Sequence, residues 1–338
     1  MQQITRRETP VAVWLTLVCV LVYAMILVGG ATRLTDSGLS ITEWKPISGV
    51  IPPLNAHDWQ ALFAKYQQTT EYQEQNRGMS LGDFQWLYWW EWGHRLLGRV
   101  IGLVVALGVA VFWATGRLKG RVGASLVLFA LIGIEGVIGW WMVTSGLFSA
   151  LDVSPLRLAI HLGAALLILG FATWLALDAW GWPRERSRLG APAWLPGVFL
   201  ATLFAQAMLG ALLAGARGGS AYPDWPTIGG HWIPTDAFAL TPLARNFLAN
   251  HATQHLFHRS FGYVVALLAL SIAAIGAMRG EGSARKAAIA LSGLGLLQSS
   301  LGIATVIAGA PLGLSLAHQG GAVALWLAGV FVARATWR

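Results

Sequence analysis

Four histidines carry the residue type and spacing from which metal chemistry could be built. They are His94 (Trp-Gly-His94-Arg95), His161 (Ala-Ile-His161-Leu), His258 (Leu-Phe-His258-Arg259) and His318 (Leu-Ala-His318-Gln319), each near the end of a long apolar stretch. Imidazole is costly in hydrocarbon, so a histidine placed there marks a functional site by default. No thiolate or carboxylate cluster accompanies them, which disfavours a soft-metal centre. Two imidazoles at equal depth on facing helices suit a different task, holding a planar macrocycle from both faces. The expectation is two bis-histidine haem sites, His94 with His161 and His258 with His318.

The neighbours of these histidines differ between the pairs. Glu91 precedes His94 by three residues and shares its helical face, whereas His255 holds that place before His258. Only the first pair therefore has a carboxylate beside it, able to act as a base or to stabilise developing positive charge. That asymmetry points to a reaction site in the first half and a held cofactor in the second. His255, on the face of His258, is a candidate to line the second site or exchange roles with it. Arg95 and Arg259 follow the second-helix histidines and are candidate partners for haem propionates, because guanidinium pairs bidentately with carboxylate. Glu135 lies within an apolar run, where a carboxylate is expensive unless paired or protonated. His57, His231 and His251 are read as solvated loop residues, and the lone Cys19 excludes an intrachain disulfide and a cysteine-ligated cluster.

Composition fixes what must position these groups. Of 338 residues, 56% are hydrophobic and 11% charged. Apolar runs cover Val11–Val28, Val100–Ala114, Val122–Val143, Leu158–Leu177, Trp194–Ala214, Val264–Met278, Ala287–Ala308 and Leu314–Ala333. A spanning helix needs roughly 20 residues, which the two short runs reach when the preceding histidine-bearing residues are included. The expected fold class is an all-α integral membrane protein with eight transmembrane helices. The net charge of +8 does not indicate nucleic acid. Its basic residues concentrate in alternate short connections (Arg6, Arg7; Arg117, Lys119, Arg121; Arg184, Arg186, Arg188; Arg279, Arg285, Lys286; Arg334, Arg338). The positive-inside rule then places both termini in the cytoplasm and the connections 33–91 and 215–254 outside, with the first helix retained. Most of the tryptophans are expected at the lipid headgroups.

The chain also repeats itself. Laid over the first half, the second brings Arg217 onto Arg33, Asp224-Trp225 onto Glu43-Trp44, His258-Arg259 onto His94-Arg95, Gln298 onto Glu135 and His318 onto His161. Each unit has an even number of spans, so the repeat is parallel rather than inverted. Residues 1–180 and 190–338 are expected to form two four-helix bundles. In each, the second and fourth helices begin outside with a histidine in the first turn or two.

Several stretches resemble one family. They are Gly29-Gly30-Ala31-Thr32-Arg33-Leu34-Thr35-Asp36-Ser37-Gly38-Leu39-Ser40, Trp44-Lys45-Pro46-Ile47-Ser48-Gly49 and Glu91-Trp92-Gly93-His94-Arg95-Leu96-Leu97-Gly98-Arg99. Gly139-Trp140-Trp141-Met142-Val143 and Arg157-Leu158-Ala159-Ile160-His161-Leu162 complete the pattern. Over nearly its whole length the chain resembles the haem A synthases of mitochondria and alphaproteobacteria. The resemblance implies an enzyme that oxidises a porphyrin methyl of haem O to the formyl of haem A by successive hydroxylations. It implies haem b on His258 and His318, the substrate haem on His94 and His161, and Glu91 as the catalytic glutamate. It further implies haem O synthase and cytochrome oxidase assembly factors as partners, and a bacterial inner membrane (or mitochondrial inner membrane) location. The chain departs from the pattern in lacking an outer-loop cysteine pair and in carrying Glu135 where glutamine is usual. The competing reading is a di-haem electron-transfer cytochrome of the membrane, for which ligands at both membrane depths would be expected; a transporter would leave the histidines unexplained.

Overall fold

The computed structural model describes residues 9–147, 150–182 and 188–336. Arg6, Arg7, Arg184, Arg186 and Arg338, part of the topology argument, fall outside the described residues. Eight helices are long and apolar enough to cross a membrane: α1 (Thr9–Leu34), α4 (Leu81–Ala114), α5 (Val122–Val143), α6 (Pro155–Ala179), α7 (Trp194–Gly215), α9 (His251–Arg279), α10 (Gly282–Ile307) and α11 (Leu312–Thr336). Three shorter helices, α2 (Ala56–Tyr66), α3 (Thr70–Glu74) and α8 (Arg245–Ala249), lie in the two long connections. Among the described residues there is no β-strand. At 1.5 Å per residue, even the 22-residue α5 and α7 exceed the roughly 30 Å of a hydrocarbon core.

Apolar side chains face outward as well as inward. Leu103, Leu107 and Val111 on α4, Val127 and Ile134 on α5, and Leu296 and Leu297 on α10 are all exposed. Such a surface drives association in water but costs nothing against lipid tails. The protein is a multi-pass membrane protein. α6 packs on α1, α5, α7 and α11, while α11 packs on α10, α7, α6 and α1. One core unites these helices, with Val18 and Val22 of α1, Leu169 and Ala172 of α6, Phe199 of α7 and Leu325 and Val330 of α11 all buried in it. Polar side chains within the bundle reach backbone carbonyls of neighbouring helices. The Tyr23 hydroxyl donates to the Gly320 carbonyl at 3.0 Å and the Gln319 amide to that of Ile26 at 2.7 Å. Trp14 and Trp326 are buried in this core, so the tryptophans do not all lie in an interfacial belt.

One end of the bundle carries a small layer that the hydropathy pattern does not reveal. α4 starts well before its apolar run, at Leu81, with Ser80 and Asp83 forming a capping box. Its first turns bury Phe84, Leu87 and Tyr88 against Tyr66 and Tyr72, with Trp59 and Phe63 packed beside them. His94 consequently sits 13 residues after Leu81 (94 − 81), nearly four turns into α4 rather than in its first or second. α9, by contrast, begins at His251, and His258 follows two turns later.

Glu71 is buried in this layer, accepting the Tyr66 hydroxyl at 3.0 Å, while Asn76 donates to the same hydroxyl at 2.7 Å. Burial raises its carboxyl from an ordinary 4.5 to about 8, against the lowering effect of the Tyr66 bond. The folded layer therefore binds a proton that the unfolded segment releases at lower pH. Its stabilising contribution is complete below about 4.5 and declines as pH rises through about 8. Hydrogen exchange of residues 56–88 is expected to accelerate over that interval beyond its intrinsic pH dependence, and Glu71→Gln to abolish the excess. An unchanged profile in the variant would remove Glu71 as the titrating group.

Candidate functional site: two histidine pairs

His258 on α9 and His318 on α11 face each other, with ring centres 6.3 Å apart and planes at 87°. An imidazole nitrogen binds a metal at about 2 Å with its ring centre about 1 Å behind, so rings on opposite sides of one iron stand about 6 Å apart. The pair therefore fits a single bis-histidine iron. His94 and His161 occupy the matching places of the first half, on α4 and α6, which both pack against α1 and α5. Among the described residues no group of three His, Cys, Asp or Glu could gather round one ion.

Each ring rests on a glycine of a neighbouring helix. A Cβ at Gly29 of α1 would stand 3.0 Å from His94, and one at Gly139 of α5 would stand 3.0 Å from His161. Gly210 of α7 and Gly302 of α10 would bring theirs to 2.8 Å from His258 and 2.9 Å from His318. Side chains at these positions would push the rings from their seats. Gly139 and Gly302 each follow Glu135 and Gln298 by four residues, a signal available in the sequence but meaningful only once the rings are placed. Gly210 lies a turn earlier on α7 than the alignment of Arg217 with Arg33 would put the partner of Gly29.

The residues one turn before those glycines touch the same rings. Gln298 Nε2 stands 3.0 Å from His318 Nδ1 and donates to the His318 carbonyl at 2.8 Å. Glu135 Oε1 stands 2.8 Å from His161 Nδ1. This second approach is off the line of a good hydrogen bond, yet both atoms are shut from solvent and neither has another partner. At His161 an acceptor beside Nδ1 favours the ring proton there and leaves Nε2 as the nitrogen available to a metal.

Glu91 is buried, and both of its oxygens are used. Oε2 accepts Ser40 Oγ at 2.8 Å and the Ile41 backbone N–H at 2.6 Å, and Oε1 accepts Arg95 Nη2 at 2.6 Å. His255 takes the matching place in the other half, with Nε2 2.8 Å from the Gly218 carbonyl and Nδ1 3.1 Å from Arg259 Nη2. Both nitrogens of His255 are thus engaged away from the His258–His318 pair. Arg95 also donates to the carbonyls of Ile41 and Glu43, both at 2.8 Å. Arg259 donates to those of Tyr222, Asp224 and Thr227. These arginines, expected at propionates, clamp the long connections; Arg259 Nε remains a buried donor with no partner. Asp224 is itself held in place by the Gly230 and Gly229 N–H groups, which lower its carboxyl to about 2. Sequence reasoning missed Ser40, Ile41 and the loop carbonyls as partners, because backbone groups carry no residue signature. His57 and His231 lie in the long connections, and His251 Nε2 meets the Ala216 carbonyl at 2.9 Å; none joins either pair.

Comparison with known proteins adds to this geometry. The profile of the cytochrome oxidase assembly protein family matches residues 12–330, reaching into all eight spans. The chain belongs to the cytochrome oxidase assembly protein family. Among its curated relatives is the heme A synthase of Maricaulis maris (strain MCS10), 47% identical over 328 residues, or 97% of this chain and 96% of that one. The heme A synthases of Brucella suis (strain ATCC 23445 / NCTC 10510) and Brucella ovis (strain ATCC 25840 / 63/290 / NCTC 10512) are each 46% identical over 311 residues, 90% of this chain and 86% of theirs. The match thus covers all four histidines and the aromatic layer alike.

Proposed function

We propose that this chain is a haem A synthase, a membrane oxidoreductase that oxidises a methyl group of haem O to the formyl group of haem A for cytochrome oxidase biogenesis. The carrying observation is the His258–His318 pair, spaced at 6.3 Å for one iron, within a chain 47% identical over 97% of its length to a heme A synthase. His258 and His318 hold haem b as cofactor, and His94 and His161 take haem O as substrate. Haem b, when bound, supplies one-electron redox chemistry. The remaining work falls to the protein. The glycine seats and the Glu135 and Gln298 contacts orient the rings, and the outer connections limit water at the substrate side.

Glu91 is the catalytic carboxylate in this reading. It lies one turn before His94, beside the proposed substrate pair, where a carboxylate can take up a proton as the methyl group is oxidised, giving up its pairing with Arg95. The matched contacts of the two halves support a parallel repeat of four-helix bundles: Glu91 and His255 on Arg95 and Arg259, Glu135 and Gln298 on His161 and His318. Both termini are placed in the cytoplasm and the histidine ends outside, in a bacterial inner membrane. A haem O synthase supplies the substrate, and oxidase assembly factors receive the product.

The direct test is co-expression with a haem O synthase in a host lacking haem A, followed by chromatography of the extracted haems. Haem A, or a hydroxylated haem O, is the expected product; unconverted haem O throughout would refute the assignment. Gly302→Val is expected to displace His318 and convert the haem b spectrum from six-coordinate low-spin toward five-coordinate high-spin. Optical and electron paramagnetic resonance spectra check this, and an unaltered low-spin signal would show that the glycine seat is dispensable.

A further inference from the structure

We propose that Glu135 is a positioning residue that makes His161 a more electron-donating axial ligand than His318, holding the substrate-side haem at a lower reduction potential than the cofactor haem. The inference rests on the reading of His94 and His161 as the substrate haem site.

The two halves place different chemistry behind equivalent rings. Glu135 Oε1 lies 2.8 Å from His161 Nδ1, and the corresponding Gln298 Nε2 lies 3.0 Å from His318 Nδ1. A carboxylate has acceptors only, whereas an amide presents either a donor or an acceptor. Gln298 Nε2 also donates to the His318 carbonyl at 2.8 Å. Whichever end of the amide faces the ring, it carries no charge. The cofactor-side ring thus meets a neutral group, and the substrate-side ring a carboxylate.

Both Glu135 oxygens and His161 Nδ1 are buried with no hydrogen-bond partner, the carboxylate standing against the ring nitrogen off the line of a hydrogen bond. Unpaired polar atoms in such a place are costly, so each stabilises the other. The acceptor holds the proton on Nδ1 and keeps the Nε2 lone pair for iron. Negative charge at Nδ1 raises the basicity of the ligating imidazole and favours the oxidised metal. Gly139, one turn further along α5, seats the same ring, so α5 fixes both its position and its charge environment. The difference between the haems is therefore written into the third helix of each half, in one carboxylate and one amide of nearly equal size.

The test is redox titration of the purified full-length chain carrying haem b and haem O, with Glu91→Gln present in every sample to block turnover. His258→Ala in a parallel sample tells the two haems apart. Glu135→Gln is expected to raise the substrate-side potential enough to shift the reduced-to-oxidised ratio at least tenfold, about 59 mV for one electron, leaving the other haem unmoved. Gln298→Glu is expected to lower the cofactor-side potential, and it tests the idea in the opposite half should the first variant fold poorly. Glu135→Asp is expected to restore part of the wild-type value. Potentials unchanged in both Glu135→Gln and Gln298→Glu, with both haems bound, would overturn the role of Glu135 and leave the haem assignment standing. A chain that binds no haem at His94 and His161 would overturn both.

Discussion

Glu91→Gln is expected to lower haem A formation by at least about a hundredfold, the low end of what a positioned acid–base group supplies, while both haems remain bound. The substitution keeps size and shape but removes the charge. A glutamine oxygen can still accept from Ser40 Oγ or the Ile41 N–H, which reach Oε2 at 2.8 and 2.6 Å. It cannot offer a second acceptor to Arg95 Nη2, now 2.6 Å from Oε1. If Glu91 merely anchored the outer connection, restoring the fold by other contacts would restore activity. If it accepts a proton, no neutral side chain will serve. Haem chromatography of membranes, paired with the haem content of the purified variant, separates the two; normal haem A output would remove Glu91 from the chemistry.

His258→Ala is expected to abolish tight binding of haem b while leaving the substrate pair loaded. In the proposed assignment His258 and His318, with ring centres 6.3 Å apart, are the two halves of one clamp, so loss of either would leave the iron with a single protein ligand. His318→Ala is expected to give the same loss. Haem A output should fall in both variants, because the redox partner of the reaction is gone. Haem-to-protein ratios before and after detergent washing read the outcome, and full retention of haem b in either variant would overturn the division of labour between the halves.

Several features were legible in residue types alone. Long apolar runs give helices wherever the backbone must satisfy itself in lipid, so all eight spans follow from hydropathy. The histidines stand out because imidazole has no other reason to be there, and Glu91 and His255 occupy matching places because the repeat brings them there. Other features required the fold. The layer around Tyr66, Phe84 and Tyr88 is built from aromatic residues scattered among polar ones, without the long apolar run that marks a span. Its presence carries α4 outward and places His94 far from the helix start. The seats at Gly29, Gly139, Gly210 and Gly302 depend on which helices become neighbours. Arg95 and Arg259 look free in the sequence because their partners are backbone carbonyls. Glu135 signalled only a buried carboxyl; its approach to His161 is visible only once α5 and α6 are packed together.

The most direct measurement is the identity and stoichiometry of haem in the wild-type chain purified after co-expression with a haem O synthase. One haem b per chain, together with haem O, haem A or an intermediate between them at the second pair, is the expected result. Two haem b per chain, with haem O untouched in the membranes, would contradict it and mark the protein as an electron carrier.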